Sequence, residues 1–267
     1  MSDAAKRIFV AIDTVDTAAA RTLVSKLAGQ VGGIKLGMTF FNANGPQGVR
    51  QVASGQPDRR AAPAAGRPGQ RRGGAPIATP APAPSVGRRM PLFLDLKFHD
   101  IPNTVAGAVE AVAPLEPAML TVHASGGPAM LKAAVEAAAA APSKPKIIAV
   151  TVLTSLDEND LSSIGMHGSL ADQVVRLARL AQDQGCHGVV CSPREVAAVR
   201  RACGPDFTLV VPGIRPVLGS LGDQKRVSSP AAAVADGADF LVIGRPITGA
   251  PDPAAAARAM AAQIASA

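Results

Sequence analysis

Phe93-Leu94-Asp95-Leu96-Lys97-Phe98-His99-Asp100-Ile101-Pro102-Asn103-Thr104 sets two carboxylates and an amine close together at the end of a short apolar run. Period two through 93–97 turns Leu94 and Leu96 to one face of a strand and Phe93, Asp95 and Lys97 to the other, so Asp95 and Lys97 become neighbours. Asp100 follows the strand. Pro102 stands where a helix can start, with Asp100 to Asn103 as candidate capping groups. A solvated edge strand is the ordinary home for such an ion pair, but Leu92-Phe93-Leu94 lacks the polar alternation of an edge. The run reads instead as a buried parallel strand, where a carboxylate and an amine are costly unless they serve a site.

Working outward, seven further apolar runs read as strands: 7–13, 33–37, 118–123, 146–153, 187–191, 207–211 and 239–243. Helical patterns lie between them, including 17–27, a helix opened by Gly45-Pro46, another opened by Gly126-Gly127, and an amphipathic stretch at 170–182. Eight strands alternating with helices specify a parallel sheet with crossover helices. Eight repeats favour a closed (β/α)8 TIM barrel over an open doubly wound sheet. Asp13, Lys35, Asp95, Lys97, His123, Thr154, Ser192, Arg215 and Arg245 all fall at or just after strand C-termini. In a barrel these ends converge on one rim, where active sites of this fold lie. Val211-Pro212-Gly213-Ile214-Arg215 and Ile243-Gly244-Arg245-Pro246-Ile247 follow strands seven and eight, the usual phosphate corner of a barrel. There Gly244 lets backbone N–H groups approach a phosphate, and Arg245 adds a forked, charge-assisted pair.

The chain of 267 residues suits one large domain, 1–267, and a hydrophobic content of 48% supports its core. Tyr and Trp are absent, so packing rests on aliphatic residues and no aromatic platform for nucleic acid is visible. Cys186, Cys191 and Cys203 lack metal-type spacing and read as buried reduced thiols. The start of the chain has no basic-then-apolar signal pattern and no apolar run reaches membrane-span length, so a cytoplasmic protein is expected. The formal net charge of +7 is concentrated at 51–90, which holds seven arginines and one aspartate. Within this region, 54–89 contains seven prolines and six glycines without sustained periodicity, a composition that does not order itself.

The continuous match of DLKFHDIPNT to an Asp-x-Lys-x-x-Asp hallmark resembles the orotidine 5'-monophosphate decarboxylase family. The loops at 211–215 and 243–247 and Gly222-Asp223-Gln224-Lys225-Arg226 between them match it too, and the resemblance covers nearly the whole chain outside 54–89. It implies decarboxylation of orotidine 5'-monophosphate to uridine 5'-monophosphate without metal or cofactor, with Lys97, Asp95 and Asp100 catalytic. It also implies that Gln224 and Arg245 hold the phosphate, helped by the Gly244 backbone and Arg215. Asp13 becomes a nucleotide ligand, Lys35 a partner of the ribose hydroxyls, and Thr154 a contact near the pyrimidine. Asp100 and Thr104 are expected to reach the neighbouring subunit's site across a two-fold axis, making a homodimer. Relatives usually join the preceding helix directly to the Asp-Lys-Asp strand, so 54–89 reads as a disordered insertion before the third strand.

Two other readings stay open at this stage. One is a metal-dependent sugar-phosphate decarboxylase or aldolase of the same superfamily, which shares only the sparse Asp-x-Lys-x-x-Asp pattern. The other is a non-catalytic phosphate-binding barrel whose basic segment binds nucleic acid. His99 is expected to bond locally, His123 to line the site as a structural residue, and His167 and His187 to serve surface or core roles.

Overall fold

In the computed structural model, which describes residues 1–54, 89–216 and 228–266, eight strands close into a barrel in sequence order. They are β1 (Ile8–Ile12), β2 (Gly33–Gly37), β3 (Leu92–Phe98), β4 (Met119–His123), β5 (Lys146–Val150), β6 (Gly188–Val190), β7 (Thr208–Val211) and β8 (Phe240–Ile243). All neighbouring pairs are parallel, and β1 pairs with both β2 and β8, which closes the ring. Alternation sorts the side chains into two cores. Outward residues such as Val10, Leu36, Leu94, Leu120 and Leu241 pack beneath the helices. Inward residues Phe9, Ala11, Phe93, Met119, Ile148, Val210 and Val242 fill the barrel. Phe9 meets Phe93 and Phe240 edge to face at centroid distances of 6.1 and 5.4 Å. A Cβ at Gly33 would stand 2.3 Å from the Phe9 ring, so only glycine leaves room for that plug.

Several expected elements arise as read, with local corrections. The helix Thr17–Leu27 is capped by Asp16, whose carboxylate accepts from the N–H groups of Ala18 and Ala19. The helix expected to open at Gly45-Pro46 begins earlier and runs Met38–Ala53, with a kink where Gly45 takes φ 59°. Glycine makes this left-handed step cheaply and Pro46 then restarts the helix. The helix Pro102–Val112 starts at the predicted proline, but Ile101 occupies the cap position without a side-chain bond, and the Asp100 carboxylate accepts the next N–H, that of Ile101, at 2.6 Å. β5 stops at Val150, short of the expected 153. The three cysteines are buried free thiols, and burial pushes Cys186 up to about 12. No helix among the described residues is long and apolar enough to cross a membrane.

One irregularity matters for the site. Leu94 pairs with Leu120 and Phe98 with Val122, so Asp95, Leu96 and Lys97 of β3 oppose Thr121 alone on β4. Such a bulge interrupts the ladder and re-aims side chains. Lys97 takes φ 53° within it, a left-handed conformation that costs a side-chain-bearing residue about 1–2 kcal/mol.

The segment read as an insertion lies outside the described residues over 55–88. Its flanks are described: Ser54 ends the helix Met38–Ala53, and Arg89 pairs with Glu116 and donates to the Leu115 carbonyl. Both flanks belong to the connection entering β3 from its N-terminal end, opposite the rim where active sites of this fold lie. Loop closure costs only about 0.6 kcal/mol per doubling of length. Replacing 55–88 with a short Gly/Ser linker while keeping Arg89 is therefore expected to leave the far-ultraviolet circular dichroism unchanged and the Tm within about 4 °C. The formal net charge should fall from +7 to +2. An insoluble or unfolded shortened chain would show that these residues belong to the barrel.

Candidate active site

The inward position nearest the C-terminal end of each strand decides what the barrel mouth can do. At this mouth a cavity of about 530 Å³ has Asp13, Lys35, Asp95 and Lys97 on one side. Thr154, Arg215, Gly244 and Arg245 also line it, with Gly244 next to Ala11 and Asp13. Its floor is apolar, made by Ala11, Phe93, Val150, Val190 and Val242. Eight of the eleven residues expected at the site thus share one cavity. Asp100 and Thr104 do not line it. They are exposed around the start of the helix Pro102–Val112. Gln224 lies outside the described residues.

Asp95 is the centre of the charged group and is only 8% exposed. Its Oδ1 lies 2.8 Å from Lys97 Nζ and its Oδ2 3.3 Å from Lys35 Nζ. Lys35 Nζ is also 3.8 Å from the exposed Asp13 carboxylate. Burial alone would drive the Asp95 carboxyl upward and is the largest single influence on it. The charges of Lys35 and Lys97, with hydrogen bonds from Lys97 and Thr121, together outweigh burial and hold Asp95 below the ordinary carboxylate value. The group therefore stays ionised with an ammonium against each oxygen. Its neighbour Lys97 presents a fixed positive charge to the cavity, the requirement for stabilising negative charge that develops on a bound molecule.

The sequence marks Thr121 only as part of a strand, yet its hydroxyl accepts the Lys97 N–H at 2.8 Å and donates to Asp95 Oδ1 at 3.0 Å. A lone hydroxyl on the inward parity of an otherwise apolar strand, between Met119 and His123, was the available signal. His123 closes β4 half-buried and does not line the cavity; its ring lies 5.4 Å from that of His99. Burial, then the charges of His99 and Lys97, lower its pKa against the opposing effect of Asp95, which keeps it neutral near pH 7. His187 Nδ1 accepts the Ile147 N–H at 3.2 Å, a structural role. Ser192 follows β6 and is buried, its N–H donating to Glu195 at 2.9 Å.

The family model described as orotidine 5'-phosphate decarboxylase / HUMPS family matches residues 79–260. The chain is 52% identical to a protein of Rhodospirillum rubrum named orotidine 5'-phosphate decarboxylase, over 96% of this chain and 93% of that one. It is 49% identical to the protein of the same name from Paramagnetospirillum magneticum, over 96% of this chain and 97% of the other. Among solved structures, orotidine 5'-phosphate decarboxylase from Lactobacillus acidophilus superposes with a TM-score of 0.75 at 32% identity, covering 96% of this chain and 98% of that chain.

The depressed Asp95 carboxyl gives a pH test. Because its folded value lies below the ordinary 3.8, its contribution to stability is complete above that value and is lost as pH falls through the lower folded value. Removing one partner of a buried ion pair costs roughly 3 kcal/mol. Urea melts are therefore expected to show Asp95→Asn less stable than wild type at pH 7 by about that amount, with the gap closing toward pH 3. A gap that stays constant across this range would contradict the assignment.

Proposed function

The chain belongs to the orotidine 5'-phosphate decarboxylase / HUMPS family, and we propose that it removes carbon dioxide from C6 of orotidine 5'-monophosphate to give uridine 5'-monophosphate, with Lys97 as proton donor. The observation that carries this reading is the buried Asp95 carboxylate held between Lys35 and Lys97 in a cavity also lined by Arg215, Gly244 and Arg245.

The reaction is hard because the electrons left at C6 form a vinyl-type carbanion with no adjacent carbonyl to receive them. An ammonium at that carbon stabilises the charge and then supplies the proton. Lys97 fills both roles, with its Nζ held 2.8 Å from Asp95. Asp95 also lies where the substrate carboxylate enters in this reading. Two like charges about 4 Å apart repel by roughly 4 kcal/mol at an effective dielectric of about 20. That repulsion is relieved as carbon dioxide departs and corresponds to about a thousandfold in rate. A very slow uncatalysed reaction needs more, so Lys97's stabilisation of the carbanion carries the larger share.

Arg245 and Arg215 with the Gly244 backbone take the phosphate, joined in this reading by Gln224. Asp13 and Lys35 hold the nucleotide and its ribose hydroxyls, and Thr154 approaches the pyrimidine. We assign Asp100 and Thr104 to the partner subunit's cavity in a cytoplasmic homodimer. Their exposure supports this, as does Ile101 between them, 66% exposed, an apolar surface suited to an interface. The chain is read as one barrel domain over 1–267 with an insertion near 54–89. Neither a metal nor a cofactor takes part, and nucleic acid and membrane are not partners in this reading. Both oxygens of Asp95 face ammoniums, an arrangement that favours a charged lysine over a metal ion at this carboxylate.

The test is the absorbance change on adding orotidine 5'-monophosphate in excess chelator. Full turnover is expected; activity that vanishes with the chelator and returns with magnesium would favour the metal-dependent reading. For assembly, Asp100→Ala and Lys97→Ala chains, each nearly inactive, are expected to regain activity when mixed and allowed to exchange subunits. Half of the sites in a mixed dimer then carry an intact Lys97 with an intact Asp100. Demonstrated exchange without recovery would assign Asp100 to its own subunit's site.

A further inference from the structure

We propose that Thr121 is the positioning residue that holds Lys97 in its reactive attitude, an inference that rests on Lys97 being the proton donor. The bulge in β3 leaves the Lys97 N–H opposite the single β4 residue Thr121 rather than in a regular ladder. The Thr121 hydroxyl accepts that N–H at 2.8 Å and donates a hydrogen bond to Asp95 Oδ1 at 3.0 Å. The same Oδ1 receives the Lys97 ammonium at 2.8 Å. A closed circuit results: Lys97 N–H to Thr121, Thr121 to Asp95, and Asp95 back to Lys97 Nζ. One hydroxyl fixes the backbone end of Lys97 directly and its ammonium end through the carboxylate.

Three features make this a role for the hydroxyl rather than for bulk. Thr121 is fully buried and does not line the cavity, so it touches no substrate. Lys97 occupies a left-handed backbone conformation at φ 53°, which persists only where surrounding contacts over-determine it. The hydroxyl supplies both an acceptor and a donor at that point, a pairing that valine of nearly the same shape cannot provide. Losing it leaves a buried N–H and a carboxylate lone pair without their partner, and the bulge relaxes. A displacement on the order of 1 Å in a reacting group costs about a hundredfold in rate.

The experiment compares Thr121→Val, which keeps shape and loses the hydroxyl, with Thr121→Ser, which keeps the hydroxyl. With orotidine 5'-monophosphate as substrate, Thr121→Val is expected to lower kcat by roughly 10- to 100-fold while KM and the Kd for uridine 5'-monophosphate stay within about threefold. Thr121→Ser should keep at least half of the wild-type kcat. Crystal structures of both variants read the backbone whether or not substrate turns over. In Thr121→Val, Lys97 should leave its positive φ or its ammonium should part from Asp95. Near wild-type kcat in Thr121→Val, equal damage in Thr121→Ser, or a Thr121→Val structure superimposable on wild type at Lys97 would overturn the inference. Absence of turnover by the wild-type enzyme itself would instead refute the decarboxylase reading, and the crystal structures would still decide whether Thr121 holds Lys97.

Discussion

A carboxylate sunk into a barrel is tolerable only while something answers its charge, and here that burden falls on Asp95. Desolvation of each buried ion costs several kcal/mol, repaid only with good geometry and satisfied lone pairs. Asp95 meets both conditions, with ammoniums at 2.8 and 3.3 Å and a hydroxyl at 3.0 Å. Its pKa falls despite burial because these contacts outweigh the desolvation. The arrangement runs both ways: two lysines brought together at the barrel mouth need a fixed negative charge between them. Taking Asp95 away therefore strips Lys97 of its carboxylate partner and leaves Lys35 only the more distant, exposed Asp13 at 3.8 Å.

The barrel delivers these groups through parity and closure. Phe9, Phe93 and Phe240 close the interior edge to face, and the next inward residues along β1 and β3 are Ala11 and Asp95. Charge thus rests on an apolar floor, where low polarizability strengthens its interactions. β2 contributes Lys35 by the same alternation. The bulge in β3 then breaks the alternation at the residue that needs an unusual aim. An ideal strand would spare the left-handed Lys97, but the observed path puts its ammonium 2.8 Å from Asp95.

Much of this was legible in the residues. Period two at 93–97 makes Asp95 and Lys97 neighbours on one face; they do meet, at 2.8 Å, but through a bulge that breaks that alternation and re-aims Lys97. Of the nine polar residues read at strand ends, all but His123 and Ser192 line the shared cavity, because strand C-termini in a barrel must converge. Gly45-Pro46 misled because it punctuates a helix that Gly45 only kinks, and the preceding Met38 to Asn44 turn had no cap signal: Gly37 precedes it without a side-chain bond. The bulge was invisible because nothing in Asp95-Leu96-Lys97 violates strand patterning; register is a property of the pair with β4, not of β3. Thr121 stayed hidden for the same reason, since its meaning comes from the residues opposite it.

The central claim is that the Lys97 ammonium, fixed by Asp95, stabilises and protonates the carbon that loses carbon dioxide. Single-turnover decarboxylation of orotidine 5'-monophosphate by Lys97→Ala, with uridine 5'-monophosphate affinity measured on the same preparation, addresses it most directly. The account predicts that turnover is abolished while product affinity holds within a modest factor. A correctly folded variant retaining about a tenth of the wild-type rate, a barrier change of only about 1.4 kcal/mol, would show that another group supplies the proton.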